Sequence, residues 1–284
     1  MRKNSLVLFL LICMVLFGCL FLKDIAFLFG GNEEKKDTIR QEYIEKLREQ
    51  MMEGREKVEV RYSGGAEDIE DFATEAINEA FKIDEPGTSS DYDYLRTKYY
   101  GANIKIRGWG KNYSITYDFN YLESKEETDE VEKKVGEILS TLYLEQKTDY
   151  EKIKKIHDYI IETVAYDISV KNNSAYDALI NHSSACMGYA NLTYIMLTEA
   201  GISCRVITGE AHEEPHAWNI VQIDNLWYNL DCTWDDPIGA KNDEYRYLYF
   251  LKGQQDFQDH IRDEEYKTDL FQQNYPMAQR SLKK

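Results

Sequence analysis

The sequence predicts an α+β protein in which a helix bearing a cysteine packs on an antiparallel sheet. A small α+β subdomain and an N-terminal membrane anchor precede that core. Three observations carry the prediction. Ala185 to Ala200 places Leu192, Ile195 and Met196 with flanking alanines at helical spacing, and Gly201 supplies the stop. His216 to Ile223 and Leu226 to Thr233 read as strands around Asp224-Asn225, a good two-residue hairpin turn. Upstream, helical and strand-like stretches alternate in a way that suits a mixed fold.

The chain has 284 residues, room for one large domain or two small ones. Its formal net charge of −17 makes it a poor nucleic-acid binder, because each phosphate contact calls for Lys or Arg. With 43% hydrophobic residues, 22 tyrosines and 11 phenylalanines, it is a folding chain rather than a disordered one. Cys13, Cys19, Cys186, Cys204 and Cys232 match no paired zinc-knuckle spacing and are too sparse for a disulfide scaffold.

Ser5 to Leu22 is an almost unbroken apolar run behind Arg2 and Lys3, near the lower length limit for a membrane span. No small-x-small cleavage site follows it. Leu16-Phe17-Gly18-Cys19 loosely resembles a lipobox, but Phe17 is bulky and the chain stays apolar through Phe29. Residues 1–31 are therefore expected to be an uncleaved anchor with the remainder extracytoplasmic, a lipoprotein or secreted form being the alternatives.

Residues 32–57 carry Ile39, Tyr43, Leu47 and Met51 every four positions, a narrow helical stripe expected of a weakly packed stalk. Residues 58–124 form the small subdomain: strands at Val58–Tyr62, Ala102–Arg107 and Tyr113–Tyr121, and a helix at Ile69–Phe81. Trp109 and Tyr117 are expected to pack rather than bind a ligand. The main domain, residues 125–284, opens with helices at Glu126–Leu144 and, after a Thr148/Glu151 capping box, to Ala165. His157 lies on the apolar face of the second helix and is read as a core residue. Ser203 to Thr208 is strand-like, and Gly209 to Pro215 is expected to be an acidic loop.

The chemistry concentrates in Cys186, His216 and Asp231. Cys186 opens a helix, where unpaired N–H groups and the helix dipole favour negative charge and hence a thiolate. The hairpin register pairs 223 with 226 and 221 with 228, and continued outward pairs 218 with 231 and 216 with 233. Ala217, Asn219, Val221, Tyr228, Leu230 and Cys232 then share a core face, while His216 and Asp231 become diagonal neighbours on the other. Nucleophile, base and orienting carboxylate are the components of thiol catalysis. A zinc site from Cys186, His212, His216 and Asp231 has irregular ligand spacing, so no metal and no cofactor is expected. Cys204 and Cys232 lie on neighbouring strands, as a disulfide or as two buried thiols.

Cys186-Met187-Gly188-Tyr189-Ala190, His216-Ala217-Trp218-Asn219 and Asp231-Cys232-Thr233-Trp234-Asp235-Asp236-Pro237 together resemble the transglutaminase-like superfamily. Within it the chain is similar to bacterial cell-surface proteins related to the kyphoscoliosis peptidase. The similarity runs from about Thr148, through Ile156-His157-Asp158-Tyr159, to Asp259-His260. It implies a papain-like α+β core with Cys186 as nucleophile, His216 as base and Asp231 as orienter. Met187 stands where this branch commonly has glutamine. The expected activity is cleavage or amine crosslinking of protein or peptide amides, cell-envelope polymers among them, through a thioester. The alternative is a surface binding module with the same fold and no turnover.

Overall fold

The computed structural model describes residues 35–64, 68–83, 91–239 and 245–283. The expected anchor, residues 1–31, lies outside them. No helix among the described residues is long and apolar enough to cross a membrane. In chain order the elements are α1 (residues 35–52), β1 (Lys57–Tyr62), α2 (Ile69–Lys82), α3 (Asp91–Lys98), β2 (Tyr99–Trp109) and β3 (Asn112–Tyr121). Then come α4 (Lys125–Thr141), α5 (Asp149–Thr163), β4 (Ala165–Tyr166), α6 (Ala175–Leu179), β5 (Ser183–Ser184) and α7 (Cys186–Glu199). The chain closes with β6 (Cys204–Ala211), β7 (Glu214–Ile223), β8 (Leu226–Leu230), β9 (His260–Arg262) and α8 (Asp269–Asn274). This is the α+β class expected, with sheets ordered β1-β3-β2, β4-β5 and β8-β7-β6-β9.

The chain divides into two compact units. The first comprises the described residues up to Glu49 with Glu59–Ala80 and Ile104–Tyr117. Tyr43 and Leu47 of α1 are buried there, and the Tyr43 ring packs on Tyr62 and Phe72 at centroid distances of 5.8 and 5.2 Å. The Tyr43 and Tyr117 hydroxyls hydrogen-bond at 2.8 Å, and Tyr117 donates onward to the Ala73 carbonyl at 3.0 Å. Trp109 does not pack as expected. It stands 90% exposed beside the turn at Gly110, whose φ of +67° suits glycine, where a hairpin tip has nothing to cover a ring.

The second unit comprises Gln50–Val58, Phe81–Asn103 and the chain from Asp118 onward. Capping boxes start α4 at Ser124/Glu127 and α5 at Thr148/Glu151, each satisfying two orphan N–H groups. The centre is α7. Every residue from Gly188 to Leu197 is buried, so the helix is enclosed on all sides and not along one stripe. Its polar members have partners: Asn191 Oδ1 accepts from Thr97 Oγ1 at 2.7 Å, and Thr193 Oγ1 donates to Cys232 Sγ at 3.4 Å. Gly201, at φ +78°, ends the helix.

The β7–β8 hairpin has the expected register. Pairs run from Ile223↔Leu226 to Asn219↔Leu230, and Asp224 and Asn225 both take positive φ, as a type I′ turn requires. The expected acidic loop at Gly209 to Pro215 is instead a second tight hairpin. β6 continues to Ala211, which pairs with Glu214, and His212 and Glu213 make the turn at φ 50° and 67°. Pro215 is tolerated because β8 reaches only to Asn219, leaving that part of β7 with a partner on one side. Ala217, Val221, Tyr228, Leu230 and Cys232 join the core around α7. The opposite face is also covered, by a second cluster containing Trp218, Ile220, Trp227 and Phe257.

Candidate active site

Cys186 is the first residue of α7, and its N-cap, Ala185, offers no side-chain cap. The Met187 N–H is taken by Asn173 Oδ1 at 3.1 Å and the Gly188 N–H by the Ala185 carbonyl at 3.1 Å. The Cys186 N–H is the donor of this turn for which no partner occurs among the described residues. Gly188 lets the helix end seat closely. A Cβ there would lie 1.9 Å from Ser184 Oγ and 2.5 Å from the Ser174 carbonyl.

His216 and Asp231 meet, though not by a continued ladder. β8 ends at Leu230, and Asp231 opens a turn in which its carbonyl accepts from the Asp235 N–H at 3.2 Å. Asp231 Oδ1 accepts from the N–H groups of Thr233 and Trp234 at 2.9 and 3.2 Å. Its Oδ2 faces His216 Nε2 at 2.7 Å. Cys186 lies close enough to favour the charge on His216 as well. Burial opposes a charge on His216, but the Asp231 carboxylate and Cys186 outweigh it and push the imidazole up to about 10. Asp231, fully buried, is held well below the usual carboxylate range: burial works against its charge, and His216 and His260 overcome it.

His260 is a neighbour that spacing missed. Its Nε2 lies 3.1 Å from the same Asp231 Oδ2, and its Nδ1 lies 2.9 Å from Asp259 Oδ1. β9 carries it alongside β6, where it pairs with Ala211. Its ring is wedged against Phe257 and Trp234 at centroid distances of 3.9 and 4.5 Å. The pair Asp259-His260 was visible as a motif, but no local rule links it to a turn 29 residues earlier.

The rest of the turn is held as firmly. Asp235 accepts from the Tyr249 N–H at 2.7 Å and faces His157 Nε2 at 2.9 Å. His157, fully buried, is thus a satisfied core histidine, as expected. Tyr189 of α7 donates to Asp236 Oδ2 at 2.7 Å. Asn219, buried on the core face where the hairpin register put it, donates to the carbonyls of Ala190 and Arg205 at 3.0 and 3.3 Å and ties α7 to the sheet. Cys204 and Cys232 are free and buried, and burial pushes both thiols up.

Ligand-type atoms of His216, Asp231 and His260 lie within 4.8 Å of one another. Cys186 and His212, drawn in the alternative zinc set, do not join that group among the described residues. In the arrangement seen, Asp231 Oδ2 already serves both imidazoles as a hydrogen-bond acceptor.

Residues 138–232 match the family model described as the transglutaminase-like superfamily. The resemblance read from the three motifs agrees with this match at the level of the superfamily. Among curated relatives, the kyphoscoliosis peptidase of Homo sapiens is 31% identical over 140 residues, covering 41% of this chain and 21% of that protein. The kyphoscoliosis peptidase of Mus musculus is 27% identical over 150 residues, covering 46% of this chain and 23% of its own length. The chain thus matches less than a quarter of the length of these relatives. A crystal structure described as that of a TGase aligns at 15% identity and a TM-score of 0.36, over 57% of this chain and 50% of that one.

Proposed function

We propose that the protein is a cysteine-dependent enzyme of amide bonds, with Cys186 as nucleophile, His216 as base and acid, and Asp231 as the group that orients His216. The observation that carries this reading is the buried His216–Asp231 pair at 2.7 Å, close enough to Cys186 for that residue to favour the charge on His216. The relatives' designation as peptidases agrees with it. Attack of the Cys186 thiolate on an amide carbonyl forms the C–S bond and places negative charge on the oxygen, to which the Cys186 N–H can donate a hydrogen bond. Collapse breaks the C–N bond, and the His216 imidazolium gives its proton to the departing amine. Water or a primary amine then adds to the thioester carbonyl, passes a proton to His216 and expels the thiolate. Water makes the reaction hydrolysis, and an amine makes it crosslinking.

The test starts with the thiol. A half-buried thiol is open to an alkylating reagent, whereas buried thiols are shielded from it. Iodoacetamide labelling of the full-length protein, mapped by mass spectrometry, should be fast at Cys186 and slow at Cys204 and Cys232. Incubation with dimethylated casein and a dansylated alkylamine should give cleavage or amine incorporation that Cys186→Ala abolishes. Labelling like that of a free thiol, with no Cys186-dependent product, would replace the enzyme with the binding module.

The apolar run Ser5 to Leu22 behind Arg2 and Lys3 supports the further reading that the enzyme is anchored and faces outward. Protease added to intact cells should then remove the folded part. Its full protection would overturn that orientation.

A further inference from the structure

A cleft of about 450 Å³ opens directly beside the proposed catalytic residues, with His216 as one of its walls. Tyr166 forms another part of the lining and stands close enough to Cys186 to feel its charge. Burial first, then Cys186 and Asp167, push that phenol up. Whatever fills the cleft therefore lies against His216. The remaining walls are chiefly apolar: Trp234, Ile238, Tyr245 and Leu248.

These side chains are costly to leave in water. Ile238, Leu248 and Tyr245 are 67%, 47% and 44% exposed around one opening in a chain of net charge −17. The floor is rigid. The Trp234 indole stacks on His212 at 4.8 Å and 13°, and meets Tyr249 edge-on at 5.0 Å and 87°. Such a fixed aromatic surface favours rings and large aliphatic groups.

The charges present argue against a charged occupant. The described lining is chiefly apolar, so a charged side chain entering it would lose hydration there. Asp236 lines it, but its Oδ2 already accepts from the Tyr189 hydroxyl at 2.7 Å. Burial also raises the Asp236 carboxyl, weakening it further as an anchor for a basic side chain.

We infer that this cleft is a specificity subsite that receives an aromatic or large aliphatic side chain flanking the amide bond presented to Cys186. The inference rests on reading Cys186 as the nucleophile only for the direction in which the substrate lies. Binding to the cleft can be measured without turnover. Blocked peptides that differ only at one residue beside a central glutamine (Phe, Leu, Lys or Glu) would be titrated into full-length Cys186→Ala protein and followed by Trp fluorescence and calorimetry. The Phe and Leu peptides should bind about tenfold or more tightly than the Lys and Glu peptides, the scale on which an apolar pocket discriminates.

Leu248→Glu and, separately, the still more exposed Ile238→Glu should each remove that preference. Circular dichroism establishes that each variant is folded, and two surface positions guard against the loss of one. Equal or tighter binding of the Lys or Glu peptide, binding unaffected by either variant, or no binding of any peptide would overturn the subsite. Should no amide be turned over while the apolar preference persists, the subsite stands and the enzyme reading falls.

Discussion

Asp231→Asn is expected to lower kcat/KM for casein cleavage or amine incorporation by roughly 10⁴-fold, the scale seen when a triad carboxylate is replaced by its amide. Asn can still accept the Thr233 and Trp234 N–H groups through its oxygen. Its NH2, however, would confront the His216 and His260 nitrogens in place of Oδ2. The imidazole then loses both its orientation and the charge that keeps it protonated.

The pH dependence has a definite sign. An imidazole in the unfolded chain titrates near 6.5, and His216 in the folded protein is pushed up to about 10 despite burial, because Asp231 and Cys186 favour its charge. Its contribution to stability is therefore full below about 6.5 and is lost as pH rises toward about 10. Asp231 is the opposite case, its contribution present above the ordinary carboxylate range and lost as pH falls. In Asp231→Asn the alkaline limb of kcat/KM should move to lower pH. His260→Phe keeps a ring but removes one hydrogen bond to Asp231, with an expected loss of about tenfold in kcat. His260→Gln, which can restore a donor, should recover part of it. An Asp231→Asn enzyme with more than a tenth of wild-type activity, or an unmoved alkaline limb, would remove Asp231 from the mechanism.

Asp93→Ala is expected to destabilise the protein by roughly 3–5 kcal/mol, the cost of stranding one half of a buried ion pair. Asp93 is fully buried and grips Arg205 bidentately, at 2.6 Å to Nε and 2.9 Å to Nη2. Its Oδ2 also accepts the Val206 N–H at 2.9 Å, so one carboxylate of α3 holds both the side chain and the backbone of β6. Denaturant unfolding of the full-length protein reads the effect as a lower midpoint. Combining Asp93→Ala with Arg205→Met should cost less than the sum of the two single changes, because the second removes the stranded charge. Strict additivity would mean that the pair contributes little as a pair.

The features legible in the sequence are those governed by local rules. Thr148 and Glu151 announce a helix start because both partners of the capping box lie within one turn. Asp224 and Asn225 announce the β7–β8 register because few residues accept two successive positive φ angles. That register held through Leu230, but His216 and Asp231 meet through the turn that Asp231 opens after β8 and not through the continued ladder. The helical period with Gly201 placed Cys186 at the start of α7. Local rules also misled: Pro215 and its acidic neighbours looked like a loop, and only the pairing of β6 with β7 made them strand.

What tertiary structure alone decided involves partners far apart in the chain. His260 reaches Asp231 only because β9 returns to the free edge of β6, and Asp93 meets Arg205 across 112 residues. Trp234 becomes the floor of a cleft only when His212, Tyr249 and His260 close on it. Turn chemistry and periodicity act over a few residues, where backbone dihedrals set the outcome. These contacts depend instead on how sheet and helices pack, and burial compels charged and polar groups to find one another there.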